Sequence, residues 1–367
     1  MAGITLNPGR CVRQLSTLSA CDSCVTACPT EALVKTDSVP AVNLAACVGC
    51  GSCAGACPTE AIRVDDFSAT DFFFAFAADS DNLISCRKNV PCIAVLSVDH
   101  LFSLASLKGG LRLDTGHCDG CELAPVCRAQ FEARVEEASY LLEAMMSSAE
   151  ITYEAVAYEE TESKEEGERR DFLRAFNLKT LAQGKAKFER EVETATDELI
   201  RHQLDSTAIA QLRTKTLPDK RKLLFTALKR AEAPSQYHVI ESDELTLASQ
   251  KIMDSDTCTA CQMCYRICPT GALTSDLRNS KIDFDAMMCV RCHLCHDVCE
   301  PDALTLSPSF NMKELFEPTQ QRLVTFRIRN CDECGNPFTS LGGEKICHRC
   351  RIEEEEARTL WGIGENE

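Results

Sequence analysis

Twenty-five of the 367 residues are cysteine, and their spacing is where chemistry could reside. Residues 258–268 read CTACQMCYRIC and residues 289–299 read CVRCHLCHDVC, each a C-x2-C-x2-C-x3-C run. Three thiolates on one tight loop can cap three irons of an iron–sulfur cube, and the fourth ligand must arrive from elsewhere. Zinc sites use ligand pairs rather than four cysteines in one run, so zinc or disulfides are the weaker alternatives here.

The N-terminal region repeats the pattern with one departure. Cys47, Cys50, Cys53 and Cys57 form a complete run, whereas the run ending in Cys21, Cys24 and Cys28 has Leu18 where its leading cysteine should stand. Cys11 is the substitute, giving C-x9-C-x2-C-x3-C. A longer loop still delivers a thiolate at modest closure cost. The rival is a three-iron cluster short of one ligand, with Cys11 free. Pro29, Pro58 and Pro269 follow the last cysteine of their runs, while Cys299 is followed by Glu300 and then Pro301.

On these motifs, residues 11–64 and 256–307 resemble two bacterial 2[4Fe-4S] ferredoxin modules, and chains carrying several are polyferredoxins. The tails PTEAL, PTEAI, PTGAL and PDAL resemble the short helix that follows the fourth cysteine in that family. The likeness covers less than a third of the chain. It implies pseudo-symmetric β-α-β-like halves and four [4Fe-4S] clusters, each taking its fourth thiolate from the partner run. The implied sets are Cys11, Cys21, Cys24 and Cys57; Cys47, Cys50, Cys53 and Cys28; Cys258, Cys261, Cys264 and Cys299; and Cys289, Cys292, Cys295 and Cys268.

Stepping outward from the cysteines, the expected fold is α+β. Two dicluster ferredoxin-like modules (1–69 and 251–312) flank a small α/β unit (70–149) and an acidic linker with a helical insert (150–250). A zinc-ribbon-like element (313–367) follows. In the α/β unit DFFFAFAAD reads as a buried strand, LISC and VPCIAVL as a second strand and its sequel, and SVDHLFSLASLKG as a helix. LRLDTGHC reads as another strand and RAQFEARVEEASYLLEAMM as a long amphipathic helix. Its cysteines, Cys86, Cys92, Cys118, Cys121 and Cys127, fall just past strand ends, the usual place for function in such sheets. Five converging thiols suggest a fifth iron–sulfur cluster; a zinc site or buried free thiols are the alternatives. The pattern is similar to the small iron–sulfur subunit linking hydrogenases to heterodisulfide reductase, without fixing the cluster type. His117 is either a further ligand or a solvated loop residue.

Residues 150–255 contain no cysteine. EETESKEEGER reads as a solvated joint, followed by helical patterns through Leu212, and the internal RRDFL is dismissed as an export signal because no apolar stretch follows it. LPDKRKLLFTALKRA reads as a basic amphipathic helix. Leu223, Leu224, Phe225 and Leu228 form its apolar side, which either packs the insert against a ferredoxin module or meets a partner or membrane surface. At the C-terminus QRLVTFRIRN reads as a strand leading to Cys331, Cys334, Cys347 and Cys350, two C-x2-C pairs. Two such knuckles form a closed tetrahedral site that favours zinc, with a rubredoxin-like iron geometrically allowed.

Composition narrows the function. There is no apolar leader, and the Phe72–Ala78 run is far too short to span a bilayer. The thiols therefore suit a reducing compartment, by default the cytoplasm. A formal charge of −17 argues against nucleic acid, whose affinity comes from Lys and Arg. It suits either docking to a positive protein face or simple solubility. No P-loop, dinucleotide fingerprint, catalytic triad or HExxH motif is present. The leading expectation is an electron-transfer subunit of a larger, anaerobic oxidoreductase complex, itself non-catalytic. Its catalytic partner would be a molybdenum or tungsten pterin enzyme, a hydrogenase, or a heterodisulfide-reductase-like assembly. Two alternatives stay open: redox enzyme chemistry at a special cluster within residues 86–127, or a zinc-ribbon scaffold or assembly factor.

Overall fold

The computed structural model describes residues 3–157, 215–231, 233–243, 245–340 and 342–362. The acidic joint and the helical patterns expected between residues 170 and 212 lie outside the described residues.

The first module opens with β1 (Ile4–Leu6), which pairs antiparallel with β4 (Ile62–Val64) and so brings the two ends of the module together. Between them lie α1 (Val12–Leu15), α2 (Ser23–Thr26), the hairpin of β2 (Leu33–Val34) and β3 (Ala41–Val42), and α3 (Ser52–Ala56). The second module, reached after α7 (Asp219–Arg230) and β8 (Val239–Glu241), repeats this plan. There β9 (Lys251–Met253) takes the place of β1 and α8 (Met263–Ile267) that of α2. The hairpin is β10 (Leu273–Thr274) with β11 (Lys281–Asp285); then come α9 (Leu294–Asp297) and β12 (Leu304–Leu306), which pairs antiparallel with β9.

The expected helix after each fourth cysteine is not there. Residues 29–34 and 58–64 turn and enter a strand instead. The third residue after the cysteine adopts a left-handed conformation (Glu31 φ 53°, Glu60 φ 51°, Gly271 φ 79°, Asp302 φ 50°), which stops a right-handed helix from starting. The same turn serves Cys299, so the Glu300–Pro301 departure leaves the backbone unchanged.

The intervening unit holds a parallel sheet in the order β5 (Leu83–Ser85), β6 (Gly110–Asp114), β7 (Glu150–Glu154). The helices α4 (Ala69–Ala78), α5 (Val98–Lys108) and α6 (Ala124–Ala144) accompany it. DFFFAFAAD, expected as a strand, is α4. A short apolar run carries no period of its own. Here Ser68 caps the first turn by accepting from the Asp71 amide at 3.2 Å, and Phe72 stacks on Phe76 one turn later at 5.2 Å. LISC holds the expected strand β5, and its sequel VPCIAVL holds a buried 3-10 turn at Ile93–Val95. The sheet runs past residue 149, because β7 pairs with β6 along its whole length.

α7 closes the assembly. Leu223, Leu224, Phe225 and Leu228 are buried as its apolar side, yet Lys220 and Arg221 are buried too, at 5% and 1% exposure. Arg221 forms a buried ion pair with Asp99 of α5 at 2.8 Å and donates to the carbonyls of Met287 (3.1 Å) and Leu247. Glu60 accepts from the first α7 amides, Asp219 at 2.5 Å and Lys220 at 3.1 Å. Glu137 of α6 accepts from the Thr246 and Leu247 amides at 2.6 and 2.7 Å. One hydrophobic core runs through both modules and the sheet unit.

β13 (Ser309–Asn311) pairs with β8, and α10 (Lys313–Phe316) leads to β14 (Gln320–Thr325), which joins β11. The hairpin of β15 (Arg327–Asn330) and β16 (Pro337–Ser340) and the helix α11 (His348–Trp361) complete the chain. QRLVTFRIRN is thus two strands, β14 and β15, broken at Phe326.

Candidate metal centres

The complete cysteine runs share an unusual backbone. On either side of the second cysteine the chain is left-handed: Gly49 and Gly51 flank Cys50, Ala260 and Gln262 flank Cys261, and Arg291 and His293 flank Cys292. Such alternation turns successive N–H groups toward one point and forms a nest for an anionic group. Non-glycine residues in this region carry strain of about 1–3 kcal/mol each, which the surrounding structure must offset. An iron–sulfur cluster with thiolate ligands is anionic, so the donor set and the nest fit it.

Thiol neighbours sort into sets. Burial first, then the charges of Cys57, Cys21 and Cys11, push the Cys24 thiol up to about 12. Cys53 is raised by burial and by Cys50, Cys28, Cys24 and Cys47. In the second module Cys258 faces Cys261 and Cys299, while Cys292 faces Cys268, Cys289 and Cys295. Burial and neighbouring charge disfavour the bare thiolates of Cys24, Cys53, Cys258 and Cys292; a coordinated metal reverses that by stabilising the thiolate. Amide donors already aim at sulfur: Ala32 to Cys28 and Ala61 to Cys57, each at 3.2 Å. Left-handed turns at Glu31 and Glu60 aim these donors.

Cys11 is buried beside Cys57 and Ala61, and Leu18 is 61% exposed. The long loop between Cys11 and Cys21 is held by Arg13, itself buried, which donates to the carbonyls of Ser19 (2.9 Å), Ser38 (2.8 Å) and Thr36. No spacing rule marks Arg13; only the need to pin nine residues of loop makes its role visible.

The sheet unit brings Cys92, Cys118 and Cys127 together with Cys121 alongside. Burial and then Cys92 raise the Cys118 thiol, with Cys121 adding to it. Cys86 directly follows β5 and is half-buried. Cys127, buried in the first turn of α6, neighbours both Cys92 and Cys50 of the first module. That neighbour and backbone amides lower Cys50 to about 6. Arg134 lies against the same group, donating to the carbonyls of Ala94 at 2.6 Å and Leu96 at 3.1 Å; burial lowers it to about 10, against the charges of Cys127, Cys92 and Cys53. His117 is exposed and meets Arg87 at 2.9 Å.

At the C-terminus the Sγ atoms of Cys331, Cys334, Cys347 and Cys350 all lie within 4.8 Å of one another. That spacing suits a single tetrahedral ion. Amides of Cys334, Cys347 and Glu333 lower Cys331 to about 6. No other group of three possible ligands among the described residues is so tight.

Two family models match the chain: a 4Fe-4S dicluster domain over residues 250–300 and a 4Fe-4S binding domain over residues 40–63. A search among curated proteins found no match. The chain thus carries two ferredoxin-type 4Fe-4S domains and a C-terminal four-cysteine site. No helix of the described residues is long and apolar enough to cross a membrane.

Proposed function

We propose that this chain is the electron-transfer subunit of a larger redox complex, a polyferredoxin holding four [4Fe-4S] clusters in the sets named above. A fifth iron–sulfur cluster is held among Cys86, Cys92, Cys118, Cys121 and Cys127, and a structural zinc by the C-terminal cysteines. Bound clusters supply one-electron chemistry at potentials set by their surroundings.

The observation that carries this reading is contiguity. Cys118 neighbours Cys92, and Cys127 bridges Cys92 to Cys50. Cys53 neighbours Cys24 of the adjoining set. Across the junction of the two modules, Cys21 and Cys292 pack on the same small core of Val12, Leu294 and Val298, and Asp297 accepts from the Ala20 amide at 3.0 Å. Cys264 in turn neighbours Cys295. The thiol sets form one unbroken series ending at the exposed Cys261. A protein serving only as a scaffold has no need of such a series. Its cysteine usage suits a reducing compartment, and we propose the cytoplasm; its acidic composition suits a catalytic partner with a positive face.

Anaerobic purification with metal and sulfide analysis tests this: about sixteen or more irons and one zinc per chain are expected. Much less iron in protein handled without oxygen overturns it. Co-purification from the native source then identifies the partner through its cofactor.

A further inference from the structure

The four ferredoxin-type thiol sets differ in what surrounds them, and one stands apart. Lys251, the first residue of β9, is 2% exposed. Its ammonium donates to Nε2 of His296, the residue after Cys295, at 2.7 Å and lies 5.7 Å from the centre of the Phe284 ring; beside Cys295 its charge opposes the effect of burial on that thiol. Among the described residues no carboxylate pairs with it. Ser249, 1% exposed, brings its hydroxyl to 3.5 Å from Sγ of Cys289. Thr270 does the same for Cys268 at 3.7 Å. The Arg221 guanidinium binds the Met287 carbonyl, two residues before Cys289, though Asp99 balances its charge.

The other sets have less. Thr30 meets Cys28 at 3.8 Å, Thr59 meets Cys57 at 3.9 Å and Ser23 meets Cys21 at 3.8 Å. Cations at these sets bind backbone carbonyls: Lys220 that of Cys57 at 2.7 Å, Arg134 that of Ala94 at 2.6 Å, and Lys215 that of Tyr265 at 2.5 Å, where it serves Cys264 and Cys268 of both sets in the second module alike. In the set closed by Cys299 the threonine position is Pro301, which offers no hydroxyl at all.

Taking up an electron adds negative charge. A buried cation and hydroxyl donors on the ligand sulfurs stabilise that charge, more strongly in a low-dielectric interior. Resting on the cluster assignment above, we propose that Lys251, assisted by Ser249, makes the cluster held by Cys268, Cys289, Cys292 and Cys295 the most oxidising of the four. Lys251 acts through the Cys295 sulfur and is a positioning residue for charge. Because Cys292 borders the first module at Val12, this set is an electron well at the junction between modules. The cluster closed by Cys299, lacking the hydroxyl, is the more reducing one of its module.

The test is an EPR-monitored redox titration of the full chain, purified anaerobically, beside iron and sulfide analysis. In Lys251→Met the signal of highest potential shifts downward by a tenfold or greater change in its reduced-to-oxidised ratio, about 59 mV for a one-electron couple. Lys251→Arg restores most of the shift. Ser249→Ala, which leaves the ammonium in place, lowers the same signal by a smaller amount and carries the test alone if Lys251→Met assembles fewer clusters. Full iron with a less than twofold change in that ratio, or a shift confined to a lower-potential signal, overturns the role of Lys251. Wild-type chain with little iron overturns the cluster assignment itself, a separate and distinguishable failure.

Discussion

Replacing Arg221 by methionine tests the claim that α7 locks the two modules and the sheet unit into one body. The guanidinium serves three acceptors, the Asp99 carboxylate and the carbonyls of Met287 and Leu247, at 1% exposure. Breaking a buried ion pair from one side costs about 3–5 kcal/mol, because the remaining charge is left without a partner. Each orphaned carbonyl adds about 1–3 kcal/mol, less whatever water recovers. Even the lower figure for the pair alone, about 3 kcal/mol, corresponds to roughly a hundredfold in the opening equilibrium. Hydrogen exchange on the intact metal-loaded chain reads this directly: amides of Asp219–Arg230 should lose at least that factor of protection. Arg221→Met combined with Asp99→Leu removes both charges and should recover the pair's share, leaving only the carbonyl penalty. Burial pushes the Asp99 carboxyl up, but Arg221, Lys220 and His100 more than reverse this, so its pKa falls below the usual value. The latch should accordingly be at full strength above about pH 4 and weaken only as pH falls through the lower folded-state value. A loss of protection below tenfold in Arg221→Met, or no recovery in the double variant, would refute the reasoning.

Four further outcomes are expected. A Cβ on Gly55 would come within 2.3 Å of the Ala94 carbonyl oxygen and 2.5 Å of Arg134, so Gly55→Ala should spread the first module from the sheet unit and raise protease cleavage around residue 95. Burial depresses His100 from 6.5 to about 4, so its contribution is complete above pH 6.5 and lost as pH falls toward 4. At pH 5 that amounts to about 2 kcal/mol, visible as a stability difference between wild type and His100→Gln that widens on acidification. Cys11→Ser should cost about one iron per chain and produce the EPR signal of a three-iron cluster, whereas Cys350→Ser should remove zinc and leave iron unchanged; iron content unaffected by Cys11→Ser would leave Cys11 a free thiol.

The cysteine runs could be read directly because each tight loop carries its own spacing, and the nest that turns its amides inward is equally local. Leu18 and Cys11 show the limit of that reading: a missing cysteine is visible, but the buried Arg13 that holds the replacement loop in place is not. The α4 segment is ambiguous in sequence because an unbroken apolar stretch fits helix or strand equally well, and Ser68 together with the Phe72–Phe76 stack decides between them. The tails after the fourth cysteines mislead for a related reason, as a single left-handed residue outweighs the helix propensity of the letters around it.

What the chain by itself determined was its chemistry: cysteine runs of 4Fe-4S domains, a C-terminal four-cysteine site, and a sheet unit with cysteines past its strand ends. What only the tertiary structure decided was continuity and tuning. Cys127 reaches Cys50, Arg221 reaches Asp99, and Cys21 shares a core with Cys292, across separations where no periodicity or spacing relates the partners. Ligand loops are set by short-range backbone geometry, but which loops touch, and which cation lies on which sulfur, follows from burying one common core, and that depends on the whole chain at once.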